Sequence, residues 1–394
     1  MSRGTQQISV PTVTPREAVN HPSALVIDLR SPSEFAEDHL PGAHNVPLFD
    51  DEERALIGTL YKRQSPDEAF AEGRRVAERK IRQLVDRIAE VAGWSAPTVD
   101  APGLVHAMTE PGIRGMEEAL AVRSLPEVGE NPVVLHCWRG GLRSRSVVAF
   151  LRELGLDRAV GLEGGYKAYR RFVMEALTGF SAPRSFVLRG LTGVGKTLVL
   201  EEIEKLRPGL TVDLEGLADH RGSILGMVGR EPHSQKSFDT RLARRLRAGF
   251  PHGDAVWEGE SRKIGNVVMP APVWRALRGG VHLRLETSMA RRVEVIVEEY
   301  LGQGGNRAAL AERLPFIESR LGKTKWKGVL VDLLRLERDS ELVEVLFERY
   351  YDPLYRHSEG ELEYTRSFDS TDPSRAAEEI VTWVEERRGE TELG

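Results

Sequence analysis

Short apolar runs closed by turn residues recur along the chain. Residues 24–28 (Ala-Leu-Val-Ile-Asp) predict a buried strand that runs into the turn Leu29-Arg30-Ser31-Pro32, with a helix opening at Ser33. Residues 132–136 (Pro-Val-Val-Leu-His) predict a second strand with the helix Arg145–Leu154 behind it, and residues 159–162 a third, closing on Gly164-Gly165. Strands alternating with helices predict a parallel sheet. The stretch 51–125 interrupts this rhythm: it holds the strongly charged run 66–91 and reads as a helical insertion outside the sheet. Residues 178–183 (Thr-Gly-Phe-Ser-Ala-Pro) form a breaker, after which the alternation resumes. Strands are expected at 185–189, 210–214, 254–258 and 281–285, and helices at 196–206, 236–247 and 271–278. Beyond Met289 the pattern is mostly helical, ending with 376–388. The expected class is α/β in two domains. Residues 1–178 form a parallel-sheet domain with a helical insertion at about 51–125, and residues 184–394 an α/β domain with a helical C-terminal extension.

A length of 394 residues supports this division, because single cores stop growing near roughly 250 residues. With 40% hydrophobic and 29% charged residues the chain is globular, not disordered or collagenous. Its longest apolar runs fall well short of the roughly 20 residues that cross a bilayer, and the N-terminus has no apolar segment of the secretory type. A cytoplasmic protein without membrane partners is expected. The single cysteine, Cys137, excludes an intrachain disulfide and a cysteine-based zinc site. The net charge of −5 hides an uneven distribution. Residues 221–330 hold 20 Lys/Arg against 11 Asp/Glu, whereas residues 331–394 hold 8 against 18, a basic region followed by an acidic tail.

Directly after the strand ending at Arg189 comes Gly190-Leu-Thr192-Gly193-Val-Gly195-Lys196-Thr197, which fits G-x-x-x-x-G-K-[ST] between a strand and a helix. Backbone N–H groups of such a loop and the helix N-terminus surround a phosphate, and glycines permit the close approach. Lys196 is expected to neutralise terminal phosphates and Thr197 to hold Mg²⁺. Asp213, Glu215, Glu258 and Glu260 are candidate acids to orient the metal. The loop alone accepts any diphosphate, whatever its tail.

His136-Cys137-Trp138-Arg139-Gly140-Gly141-Leu142-Arg143-Ser144 sets the cysteine at a strand end, in a loop that feeds a helix. Backbone N–H groups, the helix dipole, Arg139 and Arg143 all favour the nucleophilic thiolate there. The same residues fit a cysteine-dependent phosphatase, with Arg143 clamping phosphate, or a rhodanese loop carrying a chalcogen. Asp28-Leu-Arg30-Ser-Pro-Ser-Glu34-Phe35, His39-Leu-Pro41-Gly42-Ala43-His-Asn45-Val-Pro47 and Leu162-Glu-Gly164-Gly165-Tyr-Lys-Ala-Tyr169 resemble the rhodanese framework, which phosphatases lack. Five residues separate Cys137 from Arg143, a longer loop than in thiosulfate-using rhodaneses, suited to a bulkier or heavier donor.

A rhodanese-like domain joined to a P-loop domain in a chain with one cysteine resembles the tRNA 2-selenouridine synthase family. The resemblance rests on 137–144, 190–197, Asp213–Ser223 and Tyr350-Tyr351-Asp352-Pro353-Leu-Tyr355, and covers nearly the whole chain. It implies replacement of sulfur by selenium at C2 of a wobble uridine in tRNA. The 2-thio group is first S-geranylated by geranyl diphosphate, then displaced using selenophosphate, with a selenophosphate-supplying enzyme as a further partner. Alkylation turns a poor sulfur leaving group into a good one. On this resemblance Lys196 and Mg²⁺ stabilise the departing pyrophosphate, and Cys137 acts in the selenium step as a selenium-carrying nucleophile. The basic region then suits a tRNA partner: Arg241, Arg244 and Arg245, the pair Arg291-Arg292, and Lys323 with Lys325 offer phosphate contacts, and Trp326 a face for a base. Two other readings stand beside it. One is a cysteine-dependent phosphatase fused to a P-loop kinase or NTPase, needing a carboxylic acid near Cys137. The other is a non-enzymatic tRNA-binding scaffold, which two intact catalytic loops disfavour.

Overall fold

The computed structural model describes residues 8–125, 129–302, 306–322, 324–354 and 362–392. The chain divides between Glu175 and Ala176 into two compact units, inside the helix Gly165–Thr178.

The first unit holds strands β1 (Ile8–Val13), β2 (Leu25–Asp28), β3 (His44–Asn45), β4 (Leu120–Ser124), β5 (Val133–His136) and β6 (Ala159–Leu162). They form one parallel sheet in the order β3-β2-β5-β6-β1-β4. β5 and β6 are buried at every position, which is why they read as continuous apolar runs. Asp28 pairs in register with His136, so the carboxyl ends of β2 and β5 meet where Cys137 leaves the sheet.

The segment 51–125 is helical over Asp51–Arg63, Pro66–Ala92, Ala101–Thr109 and Gly112–Ala119. The longest of these begins at an N-cap, Ser65, whose hydroxyl accepts from the Glu68 N–H, has Pro66 in its first turn, and ends at Gly93 in the left-handed region. Val76, Ile81, Leu84, Val85, Ile88 and Ala92 form its buried stripe. The expectation that this whole stretch lies outside the sheet is corrected at its end. β4 pairs with β1 at the sheet edge, and its alternation is masked because Val122 and Arg123 are both exposed.

The second unit contains β7 (Arg184–Arg189), β8 (Thr211–Val212), β9 (Asp254–Glu258), the hairpin β10 (Lys263–Ile264) and β11 (Val267–Val268), then β12 (Val281–Glu286) and β13 (Tyr364–Asp369). Its main sheet, β13-β12-β7-β9-β8, is again parallel. The acidic tail is more than a helical extension. β13 completes the sheet edge, and the helix Pro373–Glu392 returns its apolar face, with Ala376, Ala377, Ile380 and Val384, to the core formed by Phe186, Leu188, Val199 and Ile203. Only Phe368 of β13 is buried, so the strand shows no apolar run. Helices between Met289 and Leu346 build a separate core around Leu314, Ile317, Leu330 and Phe347. Among the described residues no helix is long and apolar enough to cross a membrane.

Candidate functional site

Each unit places one set of functional side chains at the carboxyl ends of its strands, where open parallel sheets bind ligands. In the second unit β7 delivers the loop Gly190–Gly195 to the helix Lys196–Leu206. Gly190 and Gly193 have φ of 151° and 82°. A Cβ on Gly190 would stand 2.7 Å from the Leu285 carbonyl oxygen, and one on Gly193 2.8 Å from that of Arg292. The loop is held from behind. Arg292 Nε donates to the Thr192 carbonyl at 2.8 Å, its guanidinium pairs with Asp352 at 2.6 and 3.0 Å and lies over the Phe347 ring, and Ser370 Oγ donates to the Val194 carbonyl at 2.7 Å. Arg292, expected to meet RNA, is a buried loop anchor instead.

Thr197 Oγ1 donates to Glu258 Oε1 at 3.2 Å, and Glu258 Oε2 accepts from the Glu215 N–H at 2.8 Å. Glu215, Glu258 and Glu260 bring one carboxylate oxygen each within 4.8 Å of one another. Burial raises all three carboxyls. Repulsion from neighbouring acids adds to it at Glu215 and Glu258, while the Lys196 charge opposes it at each. Crowded, buried oxygen donors beside a threonine hydroxyl fit Mg²⁺, whose charge would relieve that repulsion. Asp213 is engaged elsewhere, because its carboxylate caps the helix Leu214–Ala218 and accepts from the Gly216 N–H at 2.7 Å.

In the first unit Cys137 is buried at the end of β5, its Sγ 3.3 Å from Ser144 Oγ. Burial pushes the thiol up. The Arg143 charge, the Ser144 hydroxyl and the backbone N–H groups of Arg139 and Ser144 outweigh it and hold the thiol below its ordinary value. Among the described residues Arg143 Nη1 is a buried donor without a hydrogen-bond partner. Arg139 helps through its backbone, and its side chain is exposed.

The loop rests on a rigid base. Tyr166 N–H donates to the Cys137 carbonyl at 3.0 Å and Lys167 N–H to that of Trp138 at 2.9 Å. Gly165, at φ 60°, lies so close that a Cβ would stand 2.4 Å from both the Cys137 oxygen and the Gly140 nitrogen. Below it, Arg30 binds Asp28 at 2.6 Å and the Asp38 carbonyl at 2.7 Å, while the Tyr166 hydroxyl donates to Asp38 Oδ2 at 2.7 Å. Burial and the Asp38 charge push the Tyr166 phenol up, and burial holds the His136 imidazole down, so both stay neutral at pH 7.

A cavity of about 560 Å³ opens on Cys137, Trp138, Arg139 and Arg143 and is walled by the helical segment through Phe49, Ile57, Phe70, Val105, Met108 and Met116. The sequence pattern did not predict this cavity. Ile57 and Tyr61, four residues apart on a charged helix, were the available signal.

The residues expected to meet tRNA separate into three groups. Arg241 and Arg244 are exposed on the helix Gln235–Arg247, and Lys325 is exposed. Arg245 is a correction: its guanidinium donates to the carbonyls of Thr211, Gly209 and Gly249 and packs over the Phe250 ring, which leaves it structural. Trp326 is half-buried against the helical core, and Lys323 lies outside the described residues.

A family model described as the tRNA 2-selenouridine synthase AAA domain matches residues 183–390, and one for the rhodanese-like domain matches residues 15–79. Three relatives, each named tRNA 2-selenouridine synthase, align along most of the chain. That of Hydrogenovibrio crunogenus is 30% identical over 88% of this chain and 93% of its own. The Pseudomonas fluorescens relative is 32% identical over 85% and 89%, and the Nitrosomonas europaea relative 30% over 84% and 88%. The chain belongs to the tRNA 2-selenouridine synthase family. It is an enzyme with the architecture of that family, a rhodanese-like unit followed by a P-loop unit. The rhodanese match spans the framework segments around Asp28 and His39 and stops within the helix Pro66–Ala92.

Proposed function

We propose that this enzyme replaces sulfur by selenium at C2 of a wobble 2-thiouridine in tRNA, in two steps divided between its two units. In the first, the loop Gly190–Thr197 binds geranyl diphosphate. Backbone N–H groups and Lys196 hold the diphosphate, and Thr197 with Glu215, Glu258 and Glu260 would hold Mg²⁺, which when bound supplies charge for the leaving pyrophosphate. The substrate sulfur forms a bond to the geranyl C1 as the C1–O bond breaks. In the second step the Cys137 loop receives selenophosphate, Arg143 engages its phosphoryl oxygens, and the Cys137 thiolate forms a bond to phosphorus as the P–Se bond breaks. The freed selenide bonds to C2 as the C2–S bond to geranyl thiolate breaks, and water then cleaves the S–P bond. The net exchange consumes selenophosphate and water and releases geranyl thiol and inorganic phosphate. Exposed Arg241, Arg244 and Lys325 supply contacts to the tRNA backbone.

One observation carries this reading: a thiolate-favouring Cys137 faces the partnerless Arg143 donor in a cavity whose described lining contains no carboxylate. A phosphatase needs a carboxylic acid beside the cysteine to protonate its leaving group. The nearby acids Asp28 and Asp38 are already bound by Arg30 and Tyr166. The deciding experiment is mass spectrometry of wobble nucleosides after incubating 2-thiouridine tRNA with Mg²⁺, geranyl diphosphate and selenophosphate. Wild type should yield 2-selenouridine, Cys137→Ala should stop at the S-geranyl nucleoside, and Lys196→Ala should return 2-thiouridine. Unmodified tRNA in the wild-type reaction would overturn the assignment.

A further inference from the structure

The Cys137 loop accounts for only one end of the cavity it opens on. A phosphoryl group needs the loop N–H donors and Arg143. It has no use for the apolar space beyond them, walled by Phe49, Ile57, Phe70, Val105, Met108 and Met116. At about 560 Å³ the cavity falls within the roughly 300–1,000 Å³ of small-molecule sites. The charged side chains of its described lining are all cationic: Arg54, Lys62, Arg74, Arg139 and Arg143. Such a space suits a ligand with an apolar tail and an anionic or sulfur-bearing head.

The helix Asp51–Arg63 supports this from its own packing. Its Arg54, Ile57, Gly58, Tyr61 and Lys62 recur at helical spacing and face the cavity, and none of its 13 residues is buried. The inner face of an amphipathic helix usually packs on protein. Here it packs on the edge of a chamber that ends at a nucleophile.

We infer that this chamber is the seat of the isoprenoid chain carried on the substrate sulfur, so that the S-prenyl group is held with its carbon–sulfur end toward Cys137 during selenium exchange. The inference rests on the two-step reading above and adds where the chain binds and what sets its length. The helical segment is then the specificity element of the second step. It measures the chain, while the cysteine loop handles the phosphoryl group.

The test has two arms, both on the full-length enzyme. In the first, an anticodon stem-loop RNA bearing an S-prenyl-2-thiouridine with a diazirine on the chain is photolysed with the protein, and labelled peptides are sequenced. Labels should fall within residues 48–81 and 105–116. Labels confined to the second unit would overturn the inference, as would displacement of the label by decanoate at a lower concentration than by S-geranyl-2-thiouridine. This arm needs no turnover, so it decides the chain site even where the two-step reading fails.

The second arm uses Ala77→Phe, which places a ring in the chamber from the helix Pro66–Ala92. Selenation of S-geranyl RNA is compared with that of the five-carbon S-dimethylallyl RNA. The variant should shift the ratio of kcat/KM toward the shorter chain by at least about tenfold, a selectivity of the size that apolar pockets deliver. A damaged fold would lower both rates together, and an unchanged ratio in an active variant would overturn the inference. If wild type neither prenylates nor selenates, the two-step reading fails, and the labelling pattern alone judges the chamber.

Discussion

Cys137 is buried, and burial by itself would leave it an inert thiol. Arg143 reverses that outcome, because a cation in low-dielectric surroundings acts on a neighbouring thiol with little screening from water. Removing it should return the thiol toward its ordinary range. With Arg143→Ala, the midpoint of the pH profile for iodoacetamide alkylation should rise by roughly one pH unit or more, as expected when an opposite charge is lost at close range. Alkylation at pH 6.5 should slow accordingly, while Arg139→Ala, whose influence runs through the backbone N–H, should leave the midpoint in place. A profile unchanged by Arg143→Ala would remove that arginine from the thiolate's surroundings. The same residue scale explains what the sequence could not tell apart. Asp213, Glu215, Glu258 and Glu260 all follow strands or strand ends and look alike as letters. Only the positions of backbone N–H groups make Asp213 a helix cap and group the other three.

At the scale of elements, the segment Leu162–Tyr166 and the cysteine loop touch backbone to backbone, and glycine is what allows it. Gly165→Ala would force a shift of the loop against the Cys137 carbonyl, a displacement of the size that costs about 100-fold in catalysis. Gly42 makes a fitting control: it also has positive φ, at 72°, but nothing lies within 4 Å of a Cβ built there. Single-turnover selenation of S-geranyl RNA should fall by about that factor in Gly165→Ala and by little in Gly42→Ala, and equal losses would refute the close-contact argument.

Buried central elements were legible because their environment writes itself into the letters. β5, β6, β7 and β9 are apolar on both faces, and the long helix Pro66–Ala92 carries its own start and stop signals. The edge strands β4 and β13 were not legible. An edge strand needs few apolar residues, and β13 hides in a run of acids with one buried phenylalanine. The cysteine and phosphate loops were readable as motifs because their chemistry is local. The chamber was not, since its wall comes from five helices whose inner faces meet only in three dimensions.

For the molecule as a whole, local excess of one charge sign is a weaker guide than which cations remain exposed. Of the basic residues expected to contact RNA, Arg292 and Arg245 hold backbone carbonyls, whereas Arg241 and Arg244 face solvent. The two kinds should therefore respond differently. Arg241→Gln with Arg244→Gln should weaken tRNA binding and reduce the slope of log K against log salt by about 1 to 2, one contact for each lost cation. Arg245→Gln should leave that slope unchanged and instead lower the urea midpoint, because buried carbonyls lose their donor. A slope that fell equally in both would return Arg245 to the RNA surface.

The anchoring of the phosphate loop also bears on how the enzyme comes into being. Ser370 reaches back 176 residues to the Val194 carbonyl, and Asp352 holds the arginine that fixes Thr192. On the ribosome, the cysteine loop and the segments that buttress it have all been synthesised before the phosphate loop is translated. That loop then waits for nearly the whole of the remaining chain before its supports exist. In the two-step order proposed above, the two centres are therefore completed in the reverse of the order in which the substrate would use them.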